Sequence, residues 1–173
     1  MRKLVSAAIV ACLPLTSSAL AQSMDLPEPI RTPAGAMMAM KAVGVGELTY
    51  ECRAKAGDAS AFEWAFVGPM AKLMDPSSSK EVGKYYAGPT WESADGSKVT
   101  GKQVAVAPSS SGNIPMQLVK AEPAMGKGMM EGITYIQRVN TKGGVAPVDT
   151  CSAANAGARV TVPYQADYVF YRM

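Results

Sequence analysis

Apolar and polar residues alternate with a period of two in many short segments of this chain, which is the pattern of half-buried β-strands. The clearest segment spans residues 159–172, where apolar side chains mostly alternate with Arg, Thr, Gln and Asp, and Pro163 marks an edge or a bulge. Further strand-like segments occupy residues 48–52, 62–66, 85–86, 90–93, 97–100, 104–106, 114–118 and 133–139. The chain is therefore predicted to be almost entirely β-structure.

Turn residues separate these segments. Asp95-Gly96 lies between two strand-like runs and predicts a hairpin turn, because both residues tolerate a positive φ. No segment has a sustained apolar stripe of period 3.6, and only residues 37–42 and 152–156 are compatible with short helical turns. We expect an all-β sandwich or barrel of about eight mainly antiparallel strands. The pattern does not distinguish between these two architectures.

The first residues have the pattern of a secretory signal. Arg2 and Lys3 precede a short apolar run, and Ala19-Leu20-Ala21 forms a small-x-small cleavage site. Residues 1–21 are thus predicted to be a signal peptide, which would export the protein to the periplasm or the extracellular space. No apolar run approaches the about 20 residues that span a bilayer, so no membrane span is expected.

The remaining chain is predicted to form an arm and one domain. Pro27, Pro29 and Pro33 favour an extended N-terminal arm over residues 22–33, because proline disrupts regular helix. Residues 34–173 have the size of a single β domain. The composition does not indicate a nucleic-acid partner. Without Arg2 and Lys3 the 17 basic residues fall to 15, against 14 acidic ones.

The three cysteines have two interpretations. Removal of the signal peptide would remove Cys12 and leave Cys52 and Cys151, which are expected to form a disulfide in an oxidising compartment. Two separate buried thiols are the alternative. Cys12 itself follows Ile9-Val10-Ala11, which resembles the sequence before a lipid-modified cysteine, and lipidation is the competing interpretation of the leader.

Several motifs resemble the exported domain-of-unknown-function family 3455. They keep the family's order from about Pro33 to Arg172. They are Tyr50-Glu51-Cys52, Gly88-Pro89-Thr90-Trp91, Asp95-Gly96-Ser97, Ile114-Pro115, residues 135–139, residues 141–144, Cys151 and residues 166–171. The family implies no activity that can be transferred to individual residues. Tyr85 and Met116 stand where the family often has a His and a Trp, so any role of that His would be lost here.

The residue types limit the chemistry. The chain contains no His, which excludes His-dependent triads, imidazole acid–base catalysis and ordinary zinc sites. No cofactor motif is present, and no cofactor is expected. We therefore expect an exported, non-catalytic binding or interaction module for a small molecule, a glycan or an envelope protein. Its candidate ligand-binding residues are Trp91 as an exposed aromatic, with Tyr85, Tyr86, Glu92 and Asp95 nearby.

Two alternatives remain open. Glu92, Asp95 or Asp167 would belong to a hydrolase of extracellular or cell-wall glycan if the fold paired one of them with a second carboxylate. Met37, Met38 and Met40 offer soft thioether sulfur suited to Cu(I), although methionine also fills gaps in protein cores.

Overall fold

The computed structural model describes residues 26–173, so the predicted signal peptide and Cys12 lie outside the described residues. Eight strands and two short 3-10 turns, Glu28–Ile30 and Ala153–Asn155, make up this part of the chain. The strands are β1 (Met37–Lys55), β2 (Asp58–Met74), β3 (Glu81–Tyr86), β4 (Thr90–Ser93), β5 (Lys98–Ala107), β6 (Met116–Ala121), β7 (Ile133–Gly143) and β8 (Arg159–Arg172). The predicted all-β fold is confirmed.

The strands form a closed antiparallel barrel. Each strand pairs with the next in sequence, and β1 also pairs with β8, from Met37 opposite Arg172 to Glu51 opposite Arg159. This pairing removes the two free edges that an open sheet would have. The barrel is therefore the correct choice between the two predicted architectures. Residues 37–42, predicted to be compatible with a helical turn, instead belong to β1, because they pair with β8.

The interior of the barrel holds a packed core. Side chains from every strand meet there, and the largest fully buried ones are Trp91, Tyr168 and Phe170. The hydroxyls of Tyr164 and Tyr168 lie 3.0 Å apart in a hydrogen bond. Burial raises the pKa of both hydroxyls, so they stay protonated at neutral pH.

A second apolar cluster lies on the outer face of the sheet. The 3-10 turn places Ile30 there, with no exposed surface, against Leu118, Val139 and Val169. The carbonyl oxygen of Ile30 accepts a hydrogen bond of 2.6 Å from Gln137 Nε2. The segment predicted to be extended thus contains one 3-10 turn, which packs on the barrel wall.

The β6–β7 loop covers one end of the barrel. Its Met130 is fully buried in the core, and the backbone N–H of Met130 donates to Ser97 Oγ at 3.1 Å. Arg172 holds the same loop by donating to the carbonyl oxygens of Met129 and Glu131. These contacts close the end where β4 meets β5, so we name it the closed end.

At the opposite end a disulfide ties the long β7–β8 loop to β1. Cys52 and Cys151 are bonded, as predicted from the cysteine count. Trp64 Nε1 donates to the carbonyl oxygen of Asp149 in the same loop at 2.8 Å. Within residues 26–173, no helix has the length and apolar composition needed to cross a membrane.

Candidate functional site

The barrel wall is interrupted between β2 and β5. The hairpin of β3 and β4 that separates them is short: β3 pairs with only Met70–Met74 of β2, and β4 pairs with only Lys98–Thr100 of β5. Among the described residues, the half of β2 before Met70 and the half of β5 after Thr100 have no strand partner on this side. We name the gap above the Gly88-Pro89 turn the side opening.

Behind the side opening lies a cavity of about 370 Å³ that is open to solvent. Its lining residues come from six strands, β2 to β7, and the β3–β4 turn. They are Phe66, Val67, Gly68, Pro69, Tyr85, Gly88, Pro89, Trp91, Gly101, Gln103, Gln117, Val119 and Arg138. Tyr85 and Trp91 are almost completely buried, and their rings stack with centroids 4.7 Å apart. These two rings connect the cavity to the core of the barrel.

Phe66 lies at the rim of this cavity. Thr49 of β1 pairs with Gly68 of β2, and the next residue, Tyr50, pairs with Phe66. Val67 of β2 therefore has no partner in β1 and forms a β-bulge. The Phe66 ring contacts the Tyr50 ring edge to face, with centroids 5.7 Å apart. Nevertheless Phe66 is 51% exposed. An exposed aromatic ring beside a cavity provides apolar surface that a ligand would cover.

Arg138 contributes a positive charge to the cavity. Its Nε and Nη2 donate to the carbonyl oxygen of Pro115 at 3.3 and 3.0 Å. Within the described part of the chain, no carboxylate forms an ion pair with Arg138 and none lines the cavity. Burial raises the pKa of Tyr50 and Tyr85, and the Arg138 charge partly opposes this effect. The positive charge therefore acts on the interior of the barrel.

Two amide side chains lie beside this guanidinium. Gln117 is the register partner of Arg138, and its Nε2 donates to Gln103 Oε1 at 2.7 Å. The pair leaves the Gln103 amide nitrogen and the Gln117 carbonyl oxygen without hydrogen bonds among the described residues. The cavity thus combines a mostly apolar floor with a few polar groups on one wall.

The structure divides the five predicted ligand-binding residues among three places. Trp91 and Tyr85 line the cavity from the core side. The prediction that Trp91 is exposed was wrong, since its side chain is 1% exposed. Its register partner is Tyr85, and both rings belong to the core cluster inside the barrel.

Tyr86 and Glu92 lie on the outer face, where the Tyr86 hydroxyl donates to Glu92 Oε2 at 2.6 Å. That hydrogen bond raises the pKa of Tyr86. A wider, open depression of about 590 Å³ next to Tyr86 has Lys72 and Glu81 on its border, and these two residues form an ion pair of 2.9 Å. Lys84 and Tyr85 also line this depression, but Phe66 and Trp91, which line the cavity behind the side opening, do not.

The carboxylates considered for hydrolysis each have other partners. Asp95 lies at the closed end and accepts hydrogen bonds from Ser97 and Met129. Asp167 forms an ion pair of 2.8 Å with Lys41. Glu92 is bonded to Tyr86, as described above. The hydrolase alternative remains an untested prediction.

The methionines have different environments. Met37 and Met38 are exposed on β1, Met40 packs against the core, and Met130 is fully buried in it. Among the described residues, no group of three or more Cys, Asp or Glu side chains is arranged to hold a metal ion. Met40 and Met130 fill the core, and Cu(I) binding by Met37, Met38 and Met40 remains an untested prediction.

Sequence reasoning predicted only Tyr85 and Trp91 of the cavity lining and missed the others, among them Phe66, Gln103, Gln117 and Arg138. Phe66 was predicted to lie in a strand. Its place at the rim of the cavity depends on the β3–β4 hairpin, which pairs with β2 only from Met70 onward. Arg138 follows Ile136 by two positions in β7, and this spacing puts both on the inner face. A charged residue at a position that faces the interior is the signal that could have identified Arg138.

A closed antiparallel barrel with one disulfide and a side opening defines the structural class of this protein. The chain belongs to the family described as "Protein of unknown function (DUF3455)", whose profile matches residues 33–172. The family suggested by the sequence motifs is thereby confirmed. No curated protein and no solved structure gave a significant match to the chain.

Proposed function

We propose that this protein is an exported, non-catalytic binding module that takes a small molecule through the side opening. The observation that carries the proposal is the interruption of the barrel wall, which exposes a cavity of about 370 Å³ directly above the Tyr85–Trp91 ring pair. Ligand sites are typically concave and mostly apolar, with a small number of polar groups that orient the ligand. The cavity has this composition.

The side chains around the cavity favour binding over catalysis. The chain has no His, and Cys52 is held in a disulfide. The Tyr85 hydroxyl has a raised pKa because it is buried, so it is a poor nucleophile and a poor base at neutral pH. The guanidinium of Arg138 does not exchange protons near neutral pH. These groups can hold a ligand but offer no general acid–base pair.

Export is supported by two separate features. Residues 1–21 have the charge and apolar pattern of a signal peptide. Cys52 and Cys151 form a disulfide, and such bonds persist mainly in oxidising compartments. A protein released into the periplasm or the medium would meet small molecules there before they reach the cell interior.

The test uses the neutral fluorophore N-phenyl-1-naphthylamine, whose emission rises in apolar surroundings. Gln103→Trp would fill the cavity from its exposed rim, and Val104→Trp is the matched control because Val104 is the next residue, is exposed and does not line the cavity. We expect the fluorophore to bind the wild type and Val104→Trp with similar affinity. Gln103→Trp should weaken binding about tenfold or more, a change of about 1.4 kcal/mol.

Two results would contradict the proposal. One is the absence of saturable binding to the wild-type protein. The other is equal affinity in the wild type and Gln103→Trp, which would place the fluorophore elsewhere. Circular dichroism spectra of both variants establish that the barrel is folded before affinities are compared.

A further inference from the structure

Resting on the proposed function, we infer that the ligand carries a carboxylate group and that this group pairs with Arg138. The ligand would then be a small organic acid with a flat apolar body. The argument combines the unpaired charge of Arg138, the polar groups next to it and the aromatic surfaces of the cavity.

The first step concerns the donors of Arg138. A guanidinium has five N–H donors in a planar fork that matches a carboxylate. Two donors, on Nε and Nη2, share the single carbonyl oxygen of Pro115. The three others have no acceptor among the described residues, and no ion pair of this part of the chain includes Arg138. The side chain is thus held in place but keeps its capacity to bind an anion.

The second step concerns the surroundings of this charge. Arg138 is half-buried, and its guanidinium faces a cavity that is open to solvent. No Asp or Glu lines the cavity among the described residues, so the protein itself supplies no counter-charge there. The hydrogen bond between Gln117 and Gln103 leaves the Gln103 amide nitrogen available as a further donor. A carboxylate is the ligand group that these donors would bind most strongly.

The third step concerns the rest of the ligand. Phe66 at the rim and the Tyr85–Trp91 pair at the floor present ring surfaces to the same cavity. Gly68 and Gly101 also line it, and Ala87 and Val119 pack closely against these two glycines. Aromatic surfaces favour flat apolar partners. The volume of about 370 Å³ limits the ligand to a small molecule, not a polymer segment with many residues.

The experiment compares two probes of nearly equal shape, 2-naphthoate and the neutral 2-naphthamide, by chemical-shift titration of the isotope-labelled protein. We expect both to shift signals of cavity residues, and 2-naphthoate to bind about tenfold tighter or more, since a hydrogen bond to an ionised group is stronger than one to a neutral group. Added salt should reduce this preference. This comparison uses the wild-type protein and does not depend on the folding of a variant.

Three variants then test whether the charge of Arg138 causes the preference for 2-naphthoate. Arg138→Gln should remove the preference for 2-naphthoate and leave 2-naphthamide affinity nearly unchanged, whereas Arg138→Lys should retain part of the preference. Lys102→Gln is the control for loss of a positive charge, because Lys102 lies nearby on β5, is exposed and does not line the cavity. It should keep the full preference.

Equal affinity of the wild type for the two probes would overturn the inference while leaving the proposed function intact. The same conclusion follows if Arg138→Gln folds and retains the preference. If Lys102→Gln also loses the preference for 2-naphthoate, the preference comes from the overall charge of the protein. This result would overturn the inference as well. If neither probe shifts cavity signals and N-phenyl-1-naphthylamine also fails to bind, the proposed function itself is wrong.

Discussion

The Asp95 carboxylate joins two loops that are 34 positions apart, since its Oδ2 accepts a hydrogen bond of 2.8 Å from the backbone N–H of Met129. Its Oδ1 accepts hydrogen bonds of 2.6 and 2.9 Å from the hydroxyl and backbone N–H of Ser97. The β4–β5 turn thereby holds the loop that inserts Met130 into the core. One turn aspartate, first considered for ligand binding, fixes the closed end of the barrel.

We predict a pH dependence of stability from this carboxylate. The hydrogen bonds from the Ser97 hydroxyl and the Met129 N–H lower the pKa of Asp95 from 3.8 to about 2. Because the pKa is lower in the folded state, the stabilisation is complete above the unfolded value and is lost as the pH falls toward 2. Asp95→Asn should lower the melting temperature at neutral pH, and the difference from wild type should shrink between about pH 4 and pH 2.

Asp58→Asn is the control for this prediction. Asp58 accepts hydrogen bonds from the backbone N–H and hydroxyl of Ser60, two positions away at the start of β2, and joins no distant loops, so its replacement should have a smaller effect. Differential scanning calorimetry over this pH range gives both comparisons. A constant difference between Asp95→Asn and wild type at all pH values would contradict the assignment.

Trp91 is predicted to be the most sensitive core position of the short hairpin. Trp91→Ala should destabilise the protein by about 3–5 kcal/mol, because it leaves a cavity beneath Tyr85 and Tyr168. Trp91→Phe should cost much less. It keeps a ring and removes the Nε1–H, which is buried and has no acceptor among the described residues.

Urea denaturation followed by far-UV circular dichroism measures these changes. Trp64→Ala serves as the comparison, since Trp64 is only half-buried and packs at the margin of the core. It should lose less stability than Trp91→Ala, although it also loses the hydrogen bond to Asp149. A smaller loss for Trp91→Ala than for Trp64→Ala would show that the ring pair does not anchor the hairpin.

The N-terminal arm is predicted to be part of the stable unit. Ile30 is fully buried on the outer face of the sheet, so Ile30→Ala should destabilise the protein by about 2–5 kcal/mol. Ile30→Val should cost only about 0.5–1.5 kcal/mol, because it removes a single methylene. Chemical denaturation curves provide the values. Equal stability of Ile30→Ala and wild type would mean that the arm does not remain docked in solution.

The disulfide is expected to provide a large share of the stability. Cys52 and Cys151 are 99 positions apart, and removal of a native disulfide typically costs about 2–5 kcal/mol. The double variant Cys52→Ala with Cys151→Ala should show this loss relative to the oxidised protein. Thiol titration of the denatured protein should find two more thiols after reduction than before it. An unchanged thiol count would rule out the bond.

The alternation of apolar and polar residues determined much of the local structure. It placed residues 48–52 and 159–172 in strands, and Asp95-Gly96 in the turn between β4 and β5. A period of two is a property of the single strand, so it can be read without knowledge of partners. The disulfide could also be predicted from the sequence, because two cysteines remain in the predicted domain and oxidising conditions pair them.

The tertiary structure alone decided what depends on pairing between distant strands. Closure into a barrel requires β1 to pair with β8, and the side opening exists because β3 and β4 pair over few residues. Alternation shows that two residues share a face but does not show whether that face is the interior or the surface. For this reason Trp91 was expected to be exposed and is buried, while Arg138 was overlooked and lines the cavity.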